Sequence, residues 1–318
     1  MFVIVVFSFN RPMQLEALLH SIFRSIDSTS VRFEVKILYG FSNSEFKQGY
    51  ETLKQKSIAK EVEFLQEERG IYKFGPKLFL RSRNTYRYFK YPFLRNLTQR
   101  SNLKPLLESI LNKPESKYVM FLTDDSLFYR DFTLGQEVFD LIDENPQQAF
   151  FSLRHGKNIH SAPSRGRNVG DFYHWQIDDA ECDAFWSYPF SVDGHIYSLQ
   201  FLLSQVEPLL YINPNTFEGS VAHHAAVKHL FSNGYCFEQS VLASFPINKV
   251  QNVVENEDLG IDSELLNKKY LEGYTLEYSW DKQPTTFQLI PENLRIIKNG
   301  FTEEMFCRDS ASKEITVR

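Results

Sequence analysis

Cysteine is nearly absent from this sequence. Three residues, Cys182, Cys236 and Cys307, stand far apart and form no CxxC pair, which argues against both a disulfide framework and a thiolate zinc site and fits a reducing compartment. Glycine and proline are also modest, at 14 and 13 of 318 residues, so collagen-like repeats and low-complexity readings are excluded. No apolar run approaches the roughly 20 residues of a membrane-spanning helix. The stretch from Phe2 to Phe7 is too short, has no basic flank and leads into a polar turn where a signal peptide would carry a small-residue cleavage site. These absences predict a cytoplasmic protein without a transmembrane anchor. Positive charge is in deficit, with 35 Lys and Arg against 40 Asp and Glu and a net charge of −5, so no overall field recommends nucleic acid as a partner. Aromatic residues, in contrast, are abundant: 29 Phe and 16 Tyr bring aromatics to 15%. Rings must therefore supply much of the core and at least one exposed surface, a material suited to flat or polyhydroxylated ligands.

Hydrophobic periodicity organises the chain. Phe2-Val-Ile-Val-Val-Phe7 is continuously apolar and β-branched, as expected of a strand buried on both faces of a parallel sheet. Ser8-Phe9-Asn10-Arg11-Pro12 makes a polar turn with a proline suited to a first helical turn, and Leu15, Leu18, Leu19, Ile22, Phe23 and Ile26 then follow at helical spacing. A second strand spans 31–39, a helix starts near Ser44 and a short strand covers 62–65. After an interruption come a helix over 103–111, the strand Tyr118 to Leu122, a helix near 133–144, a strand over 149–153, helices around 200–210 and up to 232, and a strand over 235–242. Residues 155–182 show little periodicity. Alternating strands and helices with short connections predict an α/β fold with a mostly parallel sheet flanked by helices. The predicted division is one domain over 1–245 and a C-terminal extension over 246–318.

The interruption, residues 66–104, carries ten Lys or Arg against Glu67 and Glu68, hence +8 in a chain of −5, and interleaves eight Tyr or Phe with them. Three readings compete. The charges solvate a loop whose rings enter the core. Alternatively the segment grips an anionic acceptor such as a lipid diphosphate, or it lies on an anionic membrane surface.

The strongest single motif follows Leu122, where an apolar strand delivers Asp124 and Asp125 to its carboxyl end. Ligands bind outside that end in open α/β sheets, and paired carboxylates suit Mg²⁺ or Mn²⁺, which bridge diphosphates. The histidines hold no comparable pattern. His223 and His224 diverge on a helix, and no HExxH spacing occurs.

Four stretches together resemble the GT-A-type glycosyltransferases, specifically the family 2-like group that uses nucleotide-diphosphate sugars. They are Val6-Phe-Ser-Phe-Asn-Arg-Pro through Ile22, Phe121-Leu-Thr-Asp124-Asp125-Ser, Ser191-Val-Asp193-Gly-His-Ile-Tyr, and Asn213-Pro-Asn-Thr-Phe-Glu218-Gly-Ser-Val-Ala, the last followed by a helix and Asn233-Gly234-Tyr. The resemblance covers most of residues 1–245. It implies a GT-A-type, Rossmann-like sheet and an inverting sugar transfer to a glycan or lipid-linked acceptor in bacterial surface polysaccharide assembly, with a divalent cation as cofactor. It places Ser8, Asn10 and Arg11 at the donor's base and ribose, Asp124 and Asp125 at the metal, and Arg154 at the diphosphate. Glu218 becomes the base that deprotonates the acceptor, with Asp193 as the second candidate or a hydroxyl-binding group. Two departures stand out, because Ser126 replaces a third acid and Gly219 replaces the second acid of a Glu-Asp pair. Two other functions compete: a nucleotidyltransferase on a related sheet, disfavoured because the first turn lacks glycine, and a non-catalytic carbohydrate-binding protein that keeps the fold.

Overall fold

The computed structural model describes residues 1–73, 98–113, 115–179, 182–248, 258–280, 283–308 and 315–317. Most of the basic aromatic segment, including Arg81, Arg83 and Arg87, lies outside the described residues. In chain order the elements are β1 (Phe2–Phe9), α1 (Pro12–Ser25), β2 (Phe33–Gly40), α2 (Ser44–Lys54), β3 (Val62–Gln66), β4 (Arg69–Lys73), β5 (Thr98–Ser101), α3 (Leu103–Leu111), β6 (Tyr118–Thr123) and β7 (Ser126–Phe128). They continue with α4 (Gln136–Glu144), β8 (Ala149–Ser152), β9 (Arg167–Val169), β10 (Phe172–Gln176), β11 (His195–Ser198), α5 (Leu199–Val206), α6 (Pro214–Lys228), β12 (Asn233–Phe237) and β13 (Leu242–Ser244). The last are α7 (Ser263–Leu271), β14 (Thr275–Ser279), β15 (Asn293–Lys298), β16 (Phe301–Arg308) and β17 (Ile315–Val317).

Nine strands form one sheet in the order β3-β2-β1-β6-β11-β8-β12-β10-β9. The pairs from β3 to β6 are parallel, β11 runs against both β6 and β8, β12 is parallel to β8, and β10 runs against β12 and β9. All strands except β11 and β10 therefore point one way, which is the mostly parallel α/β sheet expected from the sequence.

β1 shows why a continuous apolar run is required at the centre. Side chains alternate across a strand, so its residues feed two separate cores. Phe2, Ile4 and Val6 join α1, α2, α4 and α7 on one face. Val3, Val5 and Phe7 join α3, α5 and α6 on the other. Each fully buried side chain of this size contributes on the order of 1.5–3 kcal/mol, so a polar residue anywhere from Phe2 to Phe7 would cost one of the two cores. The α1 stripe behaves as its spacing predicts, with Leu15, Leu18, Leu19 and Ile22 wholly buried.

Two regions differ from the sequence reading. The stretch over 155–182 contains β9 and β10, which widen the sheet at the β12 edge. In β10, Phe172 packs into one core and Tyr173 and Trp175 into the other, while Gln176 is exposed, so five residues carry too short a period to stand out. The predicted strand over 235–242 is two strands, because β12 ends at Phe237 and β13 pairs with β7 outside the large sheet. Beyond residue 245 the chain adds α7 and a four-stranded antiparallel sheet, β14-β15-β16-β17. Leu266, Tyr270, Leu294, Ile296 and Phe306 belong to the same apolar cluster as Ile4 and Leu18, so this portion shares a core with the preceding residues. Among the described residues no helix is long and apolar enough to cross a membrane.

Candidate active site

Strand direction alone assembles the site. Parallel β1, β6 and β8 end at the same edge of the sheet, and antiparallel β11 begins there. That edge carries Ser8 at the end of β1, Asn10 and Arg11 just after it, Asp124 and Asp125 after β6, Arg154 after β8, and Asp193 before β11. Residues from four distant stretches of sequence thus meet outside the carboxyl end of the sheet, where open α/β folds bind ligands.

Arg11 is the central node. Its guanidinium is buried, and Nη1 donates to Asp124 Oδ1 at 2.9 Å and to Asp125 Oδ2 at 3.1 Å. Nε donates to Asn248 Oδ1 at 2.8 Å and Nη2 to the Asn248 carbonyl. Desolvation works to lower the Arg11 pKa, but the charges of Asp124 and Asp125 outweigh it and hold the guanidinium above its ordinary value. Asp124 accepts a second bond from the Phe9 amide at 2.9 Å, so both of its oxygens are engaged. Burial pushes its carboxyl upward, against the pull of Arg11. Around this node Ser8 shares a 2.7 Å hydrogen bond with the buried Tyr50 hydroxyl, which accepts from the Arg11 amide. Asn10 adopts φ 58°, a left-handed conformation that asparagine tolerates, and its side-chain amide makes reciprocal 2.8 Å bonds with Ser42. The three residues expected at the nucleotide lie at the edge, each already held by a neighbour. Side-chain capping of α1 is not their role, since Arg11 at the N-cap makes no such bond.

A second cluster lies beside the first. Arg154 Nη1 donates to Asp193 Oδ2 at 2.5 Å and Nη2 to Ser244 Oγ at 3.2 Å, while Thr123 Oγ1 donates to Asp193 Oδ1 at 3.1 Å. Asp193 is placed by the Asp-Gly turn that follows it: Gly194 has φ 78°, and a Cβ there would meet Leu242 at 2.1 Å. Glu218 arrives from α6. That helix is opened by Asn213, which with Thr216 forms a capping box, and by Pro214 in the first turn. Glu218 stands one turn further in, not at the helix head as its sequence context suggested. Its Oε1 accepts from the Val192 amide at 3.0 Å. Burial, and then the charge of Asp193, push its carboxyl up to about 7. Tyr188 stands near both acids, and its phenol is pushed up to about 12 by burial and their charges.

Beneath Arg154, two histidines fill an aromatic box. His155 meets Trp186 edge-to-face with ring centroids 4.5 Å apart, His195 lies over Phe150 at 4.8 Å, and the two imidazoles are 5.3 Å apart. Burial, followed by the charge of Arg154, lowers His155 to about 3, and burial with the charges of His155 and Arg154 takes His195 well below 6.5. Both are neutral in the folded chain at pH 7, whereas the unfolded chain protonates them below pH 6.5. Each thus costs up to about 1.4 kcal/mol of stability per pH unit as pH falls from 6.5 toward the folded value. Glu218 has the opposite sign between about 7 and 4.5, where the folded state holds a proton that the unfolded state releases. The urea midpoint is expected to fall between pH 6.5 and 5, and to fall more steeply in Glu218→Gln. A midpoint that is flat in both proteins would contradict a neutral buried pair.

A divalent cation has a limited donor set here. Among the described residues no three His, Cys, Asp or Glu side chains come together to hold one. Asp124 has both oxygens committed, but Asp125 uses only Oδ2 and leaves Oδ1 without a bond to a described residue. That arrangement fits Mg²⁺ or Mn²⁺ held by one carboxylate and completed by substrate phosphates. The sequence reading missed Tyr50, Thr123, Tyr188, Ser244 and Asn248. Asn248, 237 residues from Arg11, has no sequence signal that links the two.

No protein-family model matches the chain. It is similar to the bifunctional glycosyltransferase pgtA of Dictyostelium discoideum, at 25% identity over 286 residues covering 80% of this chain and 33% of that protein. The chain therefore spans about a third of the length of that relative. Among solved structures it aligns with S. aureus TarS 1-349 in complex with UDP-GlcNAc, at 14% identity and a TM-score of 0.39, covering 76% of this chain and 57% of that one. It also aligns with the same TarS segment in complex with UDP, at 13% identity and a TM-score of 0.40, covering 76% and 59%.

Proposed function

We propose that this chain is an inverting glycosyltransferase that moves a sugar from a nucleotide-diphosphate donor to a hydroxyl of a glycan or lipid-linked acceptor. One observation carries the reading: a half-buried carboxyl, Glu218, raised to about 7 and facing Asp193, at the sheet edge where Arg11, Asp124 and Asp125 also gather. A base with a pKa near the working pH is ionised often enough to act and still basic enough to take a proton in the transition state. The similarity to pgtA supports the same reading.

In the proposed reaction, Glu218 removes the proton of the acceptor hydroxyl as its oxygen attacks the anomeric carbon. The bond from that carbon to the diphosphate oxygen breaks, the nucleoside diphosphate leaves with the electron pair, and the configuration inverts. Asp193, held by Arg154 and Thr123, accepts hydrogen bonds from sugar hydroxyls. Arg11, fixed by four hydrogen bonds, holds the two aspartates in place and adds positive charge at the edge. A cation on Asp125 Oδ1 would stabilise the charge on the departing diphosphate.

Incubation with a panel of nucleotide-diphosphate sugars tests the reading. Slow release of nucleoside diphosphate without acceptor is expected from at least one donor. Binding without release would favour a carbohydrate-binding protein, and pyrophosphate formed from a nucleoside triphosphate and a sugar phosphate would favour the nucleotidyltransferase. The cation has its own test. Asp125→Asn is expected to weaken donor binding several-fold with Mn²⁺ present and little with a chelator, read by calorimetry; equal losses under both conditions would remove Asp125 as a ligand.

A further inference from the structure

Between β10 and β11 the chain runs through a loop, residues 182–190, whose aromatic residues divide into two kinds. Trp186 and Phe190 are fully buried. Trp186 packs on Trp175 with centroids 4.9 Å apart and donates Nε1–H to the His160 carbonyl at 3.2 Å, while Phe190 stacks on Tyr197 at 4.9 Å. Asp183 tightens the loop start by accepting from the Phe185 and Trp186 amides at 2.9 and 3.1 Å. Between these anchors Phe185 is 61% exposed and Tyr188 36% exposed.

Both exposed rings lie near residues of the catalytic edge, Phe185 through an intervening ring. Tyr188 feels the charges of Glu218 and Asp193. Phe185 packs on Phe287 at 5.2 Å, and Phe287 lies under the Arg154 guanidinium at 4.9 Å, the same guanidinium that binds Asp193. A large ring left in water costs free energy unless a ligand covers it. Here a loop anchored by Trp186, Phe190 and the Asp183 turn presents two such rings near carboxylates that can accept hydroxyl hydrogens. Pyranose rings match that surface, because their C–H faces are apolar while their edges carry hydroxyls. An acyl chain offers the carboxylates no hydrogen-bond donor, and an anionic head group would be repelled by them.

We infer that Phe185 and Tyr188 form a two-ring acceptor platform, with Tyr188 under the sugar that presents the attacking hydroxyl and Phe185 under the next sugar along. This inference rests on the glycosyltransferase reading for its placement, but saccharide binding tests it separately. Phe185→Ala, Tyr188→Ala and the ring-preserving Tyr188→Phe are compared with the unaltered chain. Donor hydrolysis without acceptor serves as the control that Phe185→Ala should leave unchanged. Calorimetric titrations use methyl pyranosides and the corresponding disaccharides and trisaccharides. Tyr188→Ala is expected to weaken binding of all saccharides, whereas Tyr188→Phe keeps most of it. Phe185→Ala is expected to weaken only those of two or more rings, by roughly 3- to 10-fold, the effect of one ring face. With turnover measurable, Phe185→Ala raises KM for acceptors of two or more rings while kcat changes little. Equal effects of Phe185→Ala on single-ring and longer saccharides would overturn the platform, as would an unaltered chain that binds none of the panel. Saccharide binding that shows the expected pattern without any donor hydrolysis would keep the platform and remove the transferase reading.

Discussion

Glu218→Gln is expected to bind a nucleotide-diphosphate sugar like the unaltered chain while its turnover at saturation falls by roughly 10²- to 10⁴-fold. Glutamine nearly matches glutamate in shape and still accepts from the Val192 amide, so the loss reports proton transfer and not collapse of the site. A pH signature accompanies it. With a carboxyl at about 7, the rate of the unaltered chain should drop as pH falls below 7, close to tenfold per unit once the base is mostly protonated. The glutamine variant should lack that limb. Asp193→Asn is the comparison: it loosens Arg154 and Thr123 together, so acceptor KM should rise along with any loss in kcat. The discriminating measurement is the transfer rate at saturating donor and acceptor, with donor affinity by calorimetry. If Glu218→Gln turns over normally and Asp193→Asn is inactive at saturation, the base is Asp193.

Arg11→Met should have the largest effect on stability, a loss of roughly 3–5 kcal/mol, because it leaves the Asp124 carboxylate buried without its cation. That is a large share of the roughly 5–15 kcal/mol by which a typical protein is stable. Desolvation dominates such a loss, so replacing the acid as well should reverse part of it: Arg11→Met with Asp124→Asn is expected to be more stable than Arg11→Met alone. Urea denaturation of the single and double variants measures both terms. A single-variant loss below about 1 kcal/mol would show that Arg11 is not the partner that makes Asp124 tolerable in the interior.

Local patterns were legible because they repeat within a few residues. β1 could be read from six consecutive apolar residues, and α1 from leucines and isoleucines at helical spacing, since both reflect how often a side chain returns to the same face. Asp124 and Asp125 stood out because an apolar strand ends at them. β9 and β10 were not legible, since strands of three and five residues with mixed exposure carry too little period. The site's supporting residues were hidden for another reason. Tyr50, Ser244 and Asn248 are ordinary in their local sequence, and they matter through hydrogen bonds to partners 39 to 237 residues away.

The sequence by itself determined that this chain folds as alternating strands and helices around a buried parallel sheet, and which residues stand in the turns at its carboxyl edge. Only the tertiary structure decided what those residues are to each other. Arg11 read as a turn residue becomes the buried counter-ion of two aspartates because β1 and β6 are adjacent and parallel. Glu218, named as the base by resemblance, acquires a carboxyl near 7 because α6 brings it against the turn that holds Asp193. The physical reason is range: secondary-structure preference arises from contacts within a few residues, whereas burial and charge proximity depend on segments that meet only when the sheet has formed.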